Sequence, residues 1–205
     1  TKFFLMRYLL ALIVFFLFVS CGNEYTPTVV SARKDASDIG VEIMKKGGNA
    51  FDAMIGVQLA LSVSHPTAGN IAGGGFMVYK LKDGTDGTLD FRETAPGLSN
   101  KDMFLDIKGE VIKGKSWKSA LAVGTPGTVS GLGYAHQKYG TQSWYRLLQP
   151  SIELAQYGNM LDYFNVSLLN NKYYREFLSS DSESKKIFYK DEGFELDDLL
   201  IQRDL

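Results

Sequence analysis

Cysteine occurs once in the 205 residues and histidine twice. A single cysteine excludes an internal disulfide framework and a thiolate metal cluster, and two histidines make a poor zinc site. A surplus of charge of either sign is missing too: 22 Lys and Arg against 23 Asp and Glu leave a formal charge of −1. With no basic stripe along the chain, the electrostatic footprint of a DNA- or RNA-binding protein is absent. What remains is ordinary for a globular protein, 45% hydrophobic and 22% charged. Disorder, collagen and coiled coil are excluded, and the length suits one large domain or two small ones. Glycine is present in some excess, at 21 residues, and it is clustered.

The longest apolar run without a charge is short. Tyr8 to Val19 follows Lys2 and Arg7 and consists of Tyr, Leu, Ala, Ile, Val and Phe. Twelve residues fall short of a bilayer span and match the apolar core of a secretory signal, so residues 1–20 read as a signal peptide. Phe18-Val19-Ser20-Cys21 resembles a bacterial lipoprotein box, in which Cys21 is lipidated after cleavage, although Phe18 stands where Leu is usual. The plainer reading is ordinary cleavage with Cys21 incidental. Lipidation would anchor an exported bacterial protein to a membrane, or leave it periplasmic if the cysteine is unmodified. Thr1 in place of Met, with Met6-Arg7 just inside, points to an initiator other than Thr1. Residues 21–31 are then a lipidated N-terminus and linker, and 32–205 a folded part.

Along that part, Val29 to Lys46 has helical spacing (Ala36, Ile39, Ile43, Met44) and stops at Gly47-Gly48. Asn49 caps a second helix, Ala50 to Ser64, apolar on nearly every side and ended by Pro66. Gly69 to Gly75 is a loop feeding a strand from Phe76 to Lys82. A turn at residues 83–87 and a return strand, Thr88 to Arg92, complete a hairpin. Gly124-Thr125-Pro126-Gly127 leads into a helix from Thr128 to Tyr139. Ser143 to Gln149 and Pro150 to Gln156 read as two more, the second opened by its proline. From Asp181 the chain is polar and reads as an exposed face, and Leu196, Leu199 and Leu200 begin another helical pattern. The class is α+β, helices against a largely antiparallel sheet, and two strands are too few to stand alone.

Few chemistries survive inspection. His65 and His136 have no carboxylate at ligand spacing, and the Gly-x-Ser-x-Gly of a serine hydrolase is absent. The glycine loop runs from helix to strand, the reverse of a phosphate loop, and lacks its Lys-Ser/Thr ending. A triple glycine before a strand implies backbone pressed against something: close packing on one reading, the floor of a pocket on the other. Arg92, at the end of the second strand, can clamp a carboxylate with two prongs. From spacing alone, a surface ion pair with Glu93 or Asp90 is the better account. Thr1 could act as an N-terminal nucleophile, but it precedes a segment due for removal.

The order of motifs is similar to that of one family. Gly47-Gly48-Asn49-Ala50-Phe51-Asp52-Ala53 comes first. Then come His65-Pro66-Thr67-Ala68-Gly69-Asn70 with Ile71-Ala72-Gly73-Gly74-Gly75-Phe76-Met77, and Asp90-Phe91-Arg92-Glu93-Thr94-Ala95-Pro96. With Val123-Gly124-Thr125-Pro126-Gly127 and Leu147-Leu148-Gln149-Pro150-Ser151-Ile152, they resemble the gamma-glutamyltranspeptidases, with Ala72 replacing a frequent glycine. The resemblance implies an N-terminal-nucleophile hydrolase with an αββα sandwich, whose precursor cleaves itself into a large and a small subunit. It implies transfer or hydrolysis of the γ-glutamyl group of glutathione and related amides, to an acceptor amino acid, peptide or water, through an acyl-enzyme and without a metal or cofactor. By the resemblance, Arg92 binds the substrate α-carboxylate. No catalytic residue falls within this sequence, which corresponds to the N-terminal part of the large subunit, and the nucleophilic threonine belongs to the small one. The competing readings are a related acylase of the same fold and a truncated, non-catalytic exported lipoprotein.

Overall fold

The structure, a computed structural model, describes residues 26–205; the signal segment and Cys21 lie outside them. Helix α1 (Lys34–Lys45) starts five residues later than its apolar spacing predicts. Val29 does not join it. That residue instead folds back over Gly40, where a Cβ would approach the Val29 Cγ1 to 2.9 Å, while Ser31 Oγ donates to the Arg33 carbonyl at 2.7 Å. Helix α2 (Ala50–Ser64) has its predicted bounds, because Asn49 and Asp52 form a reciprocal capping box. Its apolar sides are buried against α1 and, further along the chain, α4 (Thr128–Tyr139) and α5 (Trp144–Tyr157). The main core, Ile43, Ile55, Leu59, Leu132 and Leu147, lies among these four helices.

Strands β1 (Phe76–Lys80) and β2 (Asp86–Asp90) form an antiparallel hairpin pairing Phe76 with Asp90 and Lys80 with Asp86. The turn and the return strand come two residues earlier in the chain than predicted, and β1 ends two residues sooner. Gly87 fits beneath Tyr79, where a Cβ would clash with the ring, and the reversal is made by Leu81 to Thr85, with the Thr85 N–H on the Asp83 carboxylate at 2.9 Å. A single turn of helix, α3 (Lys115–Lys118), follows the hairpin. The outer face of β1, with Phe76 and Val78, is exposed.

Two predictions fail. The proline at 150 does not open a new helix: α5 runs through it. Leu147, Ser151 and Ala155, four apart, make one buried stripe, and the only carbonyl that loses its donor belongs to exposed Arg146. The leucines near the end do not form a helix either. Leu199–Leu200 is a strand, β4, paired with β3 (Asn159–Met160), with Leu199 out and Leu200 in, a period of two. Between β3 and β4 lie α6 (Tyr163–Leu169), α7 (Lys172–Ser179) and α8 (Ser182–Phe188). The segment from Asp181 is mostly exposed, as its polarity predicts, yet Phe194 turns inward to join Leu161, Leu169 and Leu200 in a second cluster. No helix among the described residues is long and apolar enough to cross a membrane. The architecture is α+β.

Candidate active site

The glycine loop and the start of α4 meet at the end of β2. Beyond the ladder, Phe91 continues the pairing: its N–H donates to the Gly75 carbonyl at 3.0 Å, and its own carbonyl accepts from Gly75 at 3.4 Å. A Cβ on Gly74 would lie 2.7 Å from the Arg92 Cα, and one on Gly127 would lie 2.1 Å from the Phe91 carbonyl oxygen. Gly131, in α4, lies under the Phe91 ring. These glycines therefore permit close backbone approach, and the close-packing reading of the triple glycine holds; Gly73, Gly74 and Gly75 support the chain that carries Arg92 but do not line the cleft as a pocket floor would. Thr94 and Thr125 then exchange both backbone hydrogen bonds, 3.2 and 2.8 Å, tying the chain after Arg92 to the chain before α4.

The cleft behind this junction has a volume of about 650 Å³ and is lined by Arg92, Glu93, Pro96, Lys101, Phe104 and Val123, among others. The Arg92 side chain is 61% exposed and donates from Nε to Glu93 Oε2 at 3.2 Å, the ion pair that spacing alone predicts. Its main-chain N–H is held by Asp90 Oδ1 at 2.9 Å. The Glu93 carboxyl is held below the usual carboxylate range, first by its own backbone N–H and then by the Arg92 side chain. Exposed pairs of this kind are weak, so a ligand carboxylate can displace Glu93. Among the described residues the Nη groups of Arg92 make no hydrogen bond, which leaves a two-pronged edge open to the cleft.

The hydroxyls of Thr94 and Ser99 also line the cleft, but no hydrogen-bonded base serves either among the described residues, so neither is an activated nucleophile. His136 bonds the Gln142 carbonyl at 2.8 Å and packs edge-on to Trp144, a structural role. His65 pairs with Arg33. The described residues contain no group of three metal-ligating side chains. The motifs that carry the family resemblance include Arg92, Ala95-Pro96 and Val123-Gly124, but the segments 99–104 and 121–122 that complete the cleft were missed, since no periodicity marks them. The sequence reading also missed Phe91 as the anchor of Arg92, for which a large aromatic matched to the small Gly131 was the available signal.

The family model for gamma-glutamyltranspeptidase matches residues 36–205. The glutathione hydrolase proenzyme of Pseudomonas sp. strain A14 is 47% identical over 178 residues, and that of Escherichia coli K12 is 43% identical over 180. Each alignment takes in 86% of this chain and under a third, 31% and 30%, of the relative. Among solved structures, the Helicobacter pylori gamma-glutamyltranspeptidase superposes with a TM-score of 0.83 at 40% identity, covering 89% of this chain and 52% of that one. The Pseudomonas nitroreducens enzyme, solved in complex with L-DON, gives 0.78 at 35% over 88% of this chain and 52% of its own. A cephalosporin acylase from Bacillus halodurans shares the fold at 21% identity and a TM-score of 0.55. The fold is thus the N-terminal portion of the N-terminal-nucleophile hydrolase sandwich, and the chain belongs to the gamma-glutamyltranspeptidase family.

Proposed function

We propose that this chain supplies the carboxylate-binding wall of a site that transfers or hydrolyses the γ-glutamyl group of glutathione and related amides. The observation that carries the reading is the Arg92 guanidinium, fixed at its backbone by β2 and presenting free Nη donors to a cleft. A γ-glutamyl compound offers a planar α-carboxylate, which a guanidinium grips with two parallel hydrogen bonds. Binding there would hold the γ-carbonyl at a fixed distance for attack by an activated threonine hydroxyl, a part that Thr94, with no base beside it among the described residues, does not play. The amide C–N bond breaks, the amine leaves with a proton, and the threonine ester is then resolved by water or by an acceptor amino acid or peptide. Names among the relatives support this reading, as does membership of a family of processed two-subunit precursors. The charged start, the apolar core and Ser20-Cys21 support export and a lipid anchor on Cys21, with mass spectrometry of the mature protein expected to find diacylglyceryl on that residue.

The test of the site is Arg92→Lys in the full-length protein. Lysine keeps the charge and loses the fork, so kcat/KM for a γ-glutamyl anilide should fall about 10- to 100-fold, chiefly through KM. Unchanged kinetics with an intact fold would confine Arg92 to its surface ion pair. Turnover of glutaryl amides in preference to γ-glutamyl ones would favour an acylase instead.

A further inference from the structure

We propose that Thr128 and Asn70 are a positioning pair for Arg92, an inference that rests on the carboxylate-binding role given to that residue. Thr128, the first residue of α4, is fully buried, and its hydroxyl lies 2.6 Å from Asn70 Oδ1. The same oxygen accepts the Gly73 N–H at 2.9 Å. Because an N–H needs an acceptor, the Asn70 amide oxygen must face this point, and the Thr128 hydroxyl is therefore the donor. The Gly73 carbonyl in turn accepts from the backbone N–H groups of Gly127 and Thr128 at 2.8 and 3.0 Å. Gly73 is thus held on both sides, by the Asn70 side chain and by the start of α4.

The next link reaches the site. Gly74 lies against the Arg92 Cα and the Glu93 nitrogen, Gly75 pairs with Phe91, and Gly127 presses on the Phe91 carbonyl. The Arg92 backbone is clamped between two segments that the Asn70–Thr128 bond joins across 58 residues of chain. The guanidinium is bonded to Glu93 through Nε and lies 5.6 Å from the Phe76 ring centre, and its aim at the cleft follows from where the backbone sets the Arg92 Cα and Cβ against these two partners. Removing the Thr128 hydroxyl leaves Asn70 with one donor fewer, and the glycine loop is then held to the start of α4 only by the backbone bonds at the Gly73 carbonyl, a looser seat for Arg92. The consequence is a misplaced fork, which weakens carboxylate capture and leaves the bond-breaking groups alone.

The experiment uses the full-length protein and a γ-glutamyl anilide. Thr128→Val, isosteric but without the donor, should raise KM about 5- to 20-fold with kcat within about twofold, and Thr128→Ser should restore KM to within about twofold. In an Arg92→Ala background the same Thr128→Val change should alter kcat/KM by less than about twofold, because its effect passes through the missing side chain. Equal losses in both backgrounds, or a serine variant as impaired as the valine one, would overturn the proposal. Should Thr128→Val fail to accumulate folded, Asn70→Ala, in a half-exposed loop, removes the same bond and carries the same expectations. If Arg92→Ala alone leaves KM unchanged, the carboxylate-binding role itself falls and takes this inference with it, an outcome visible in that single variant.

Discussion

Asp52 is a fully buried carboxylate with no salt bridge among the described residues. Its compensation is all hydrogen bonding: the Asn49 N–H at 2.9 Å, the Thr141 N–H at 3.0 Å, the Thr141 hydroxyl and the Gln142 N–H at 3.3 Å. Burial pushes its pKa up, but these donors together outweigh burial and hold the group below the usual aspartate value. A depressed native pKa contributes stability that is complete above the unfolded value, near 3.9, and is lost as pH falls through the native one. Asp52→Asn keeps the shape but turns an NH₂ toward N–H groups, so it should cost about 1.5–3 kcal/mol at neutral pH. Denaturant unfolding should also show the variant losing less stability than the wild type between about pH 5 and pH 2. Parallel acid profiles would mean that Asp52 has the same pKa in the native and unfolded protein, its hydrogen bonds only balancing burial.

At the level of elements, α4 holds two glycines with opposite reasons for being there. A Cβ on Gly131 would fall 2.3 Å from the Phe91 ring, whereas one on Gly133 would meet nothing within 4 Å. Gly133→Ala should therefore stabilise the protein by roughly 0.5–1 kcal/mol, the ordinary helix gain. Gly131→Ala should destabilise it by about 1–3 kcal/mol, overpacking exceeding propensity, and should raise KM as well because Phe91 adjoins Arg92. Stabilisation by both substitutions would show that Phe91 yields freely. The same contrast explains which elements can be read from the sequence. The capping box of Asn49 and Asp52, the apolar run of α2 and the Gly-rich entry to α4 are local signals, and their helices have the predicted bounds. Pro150 and the leucines of β4 are decided by tertiary packing, a stripe against α2 in one case and pairing with a strand 40 residues earlier in the other. Arg92 was legible only through its neighbours' resemblance to a family. Spacing favoured the ion pair with Glu93, which is present, and no periodicity could show that the same guanidinium lines a cleft.

In the whole molecule, later parts of the chain reach back to the C-terminal end of α2 and bond its last carbonyls. Gln202 Nε2 donates to Val63 O at 2.9 Å and Asn165 Nδ2 to Ser64 O at 3.2 Å. The next residue, His65, extends this junction to the segment before α1. Arg33 Nη2 is 3.3 Å from His65 Nδ1, Nη1 is 3.0 Å from Asp162 Oδ2, and the guanidinium lies 4.1 Å from the Phe164 ring centre. Since arginine only donates, Nδ1 must be the acceptor and the imidazole neutral. Burial, then the Arg33 charge, lowers the His65 pKa, and Asp162 opposes this less strongly. A lowered histidine pKa means that the unfolded chain takes up the proton more readily than the native one. The contribution is whole above the unfolded value, near 6.5, and disappears as pH falls toward the native value. His65→Gln retains an acceptor for Arg33 and cannot titrate. Across about pH 7.5 to 5.5 the denaturant midpoint of the wild type should fall, and that of the variant should fall less. Identical slopes would assign the acid sensitivity to other groups; the nearby Asp35 is not among them, since burial raises its pKa and a raised carboxylate pKa favours the native state as pH falls. A variant unstable even at pH 7.5 would show that the imidazole's packing against Phe164, 5.8 Å between ring centres, ties α6 to the end of α2 more than its bond to Arg33 does.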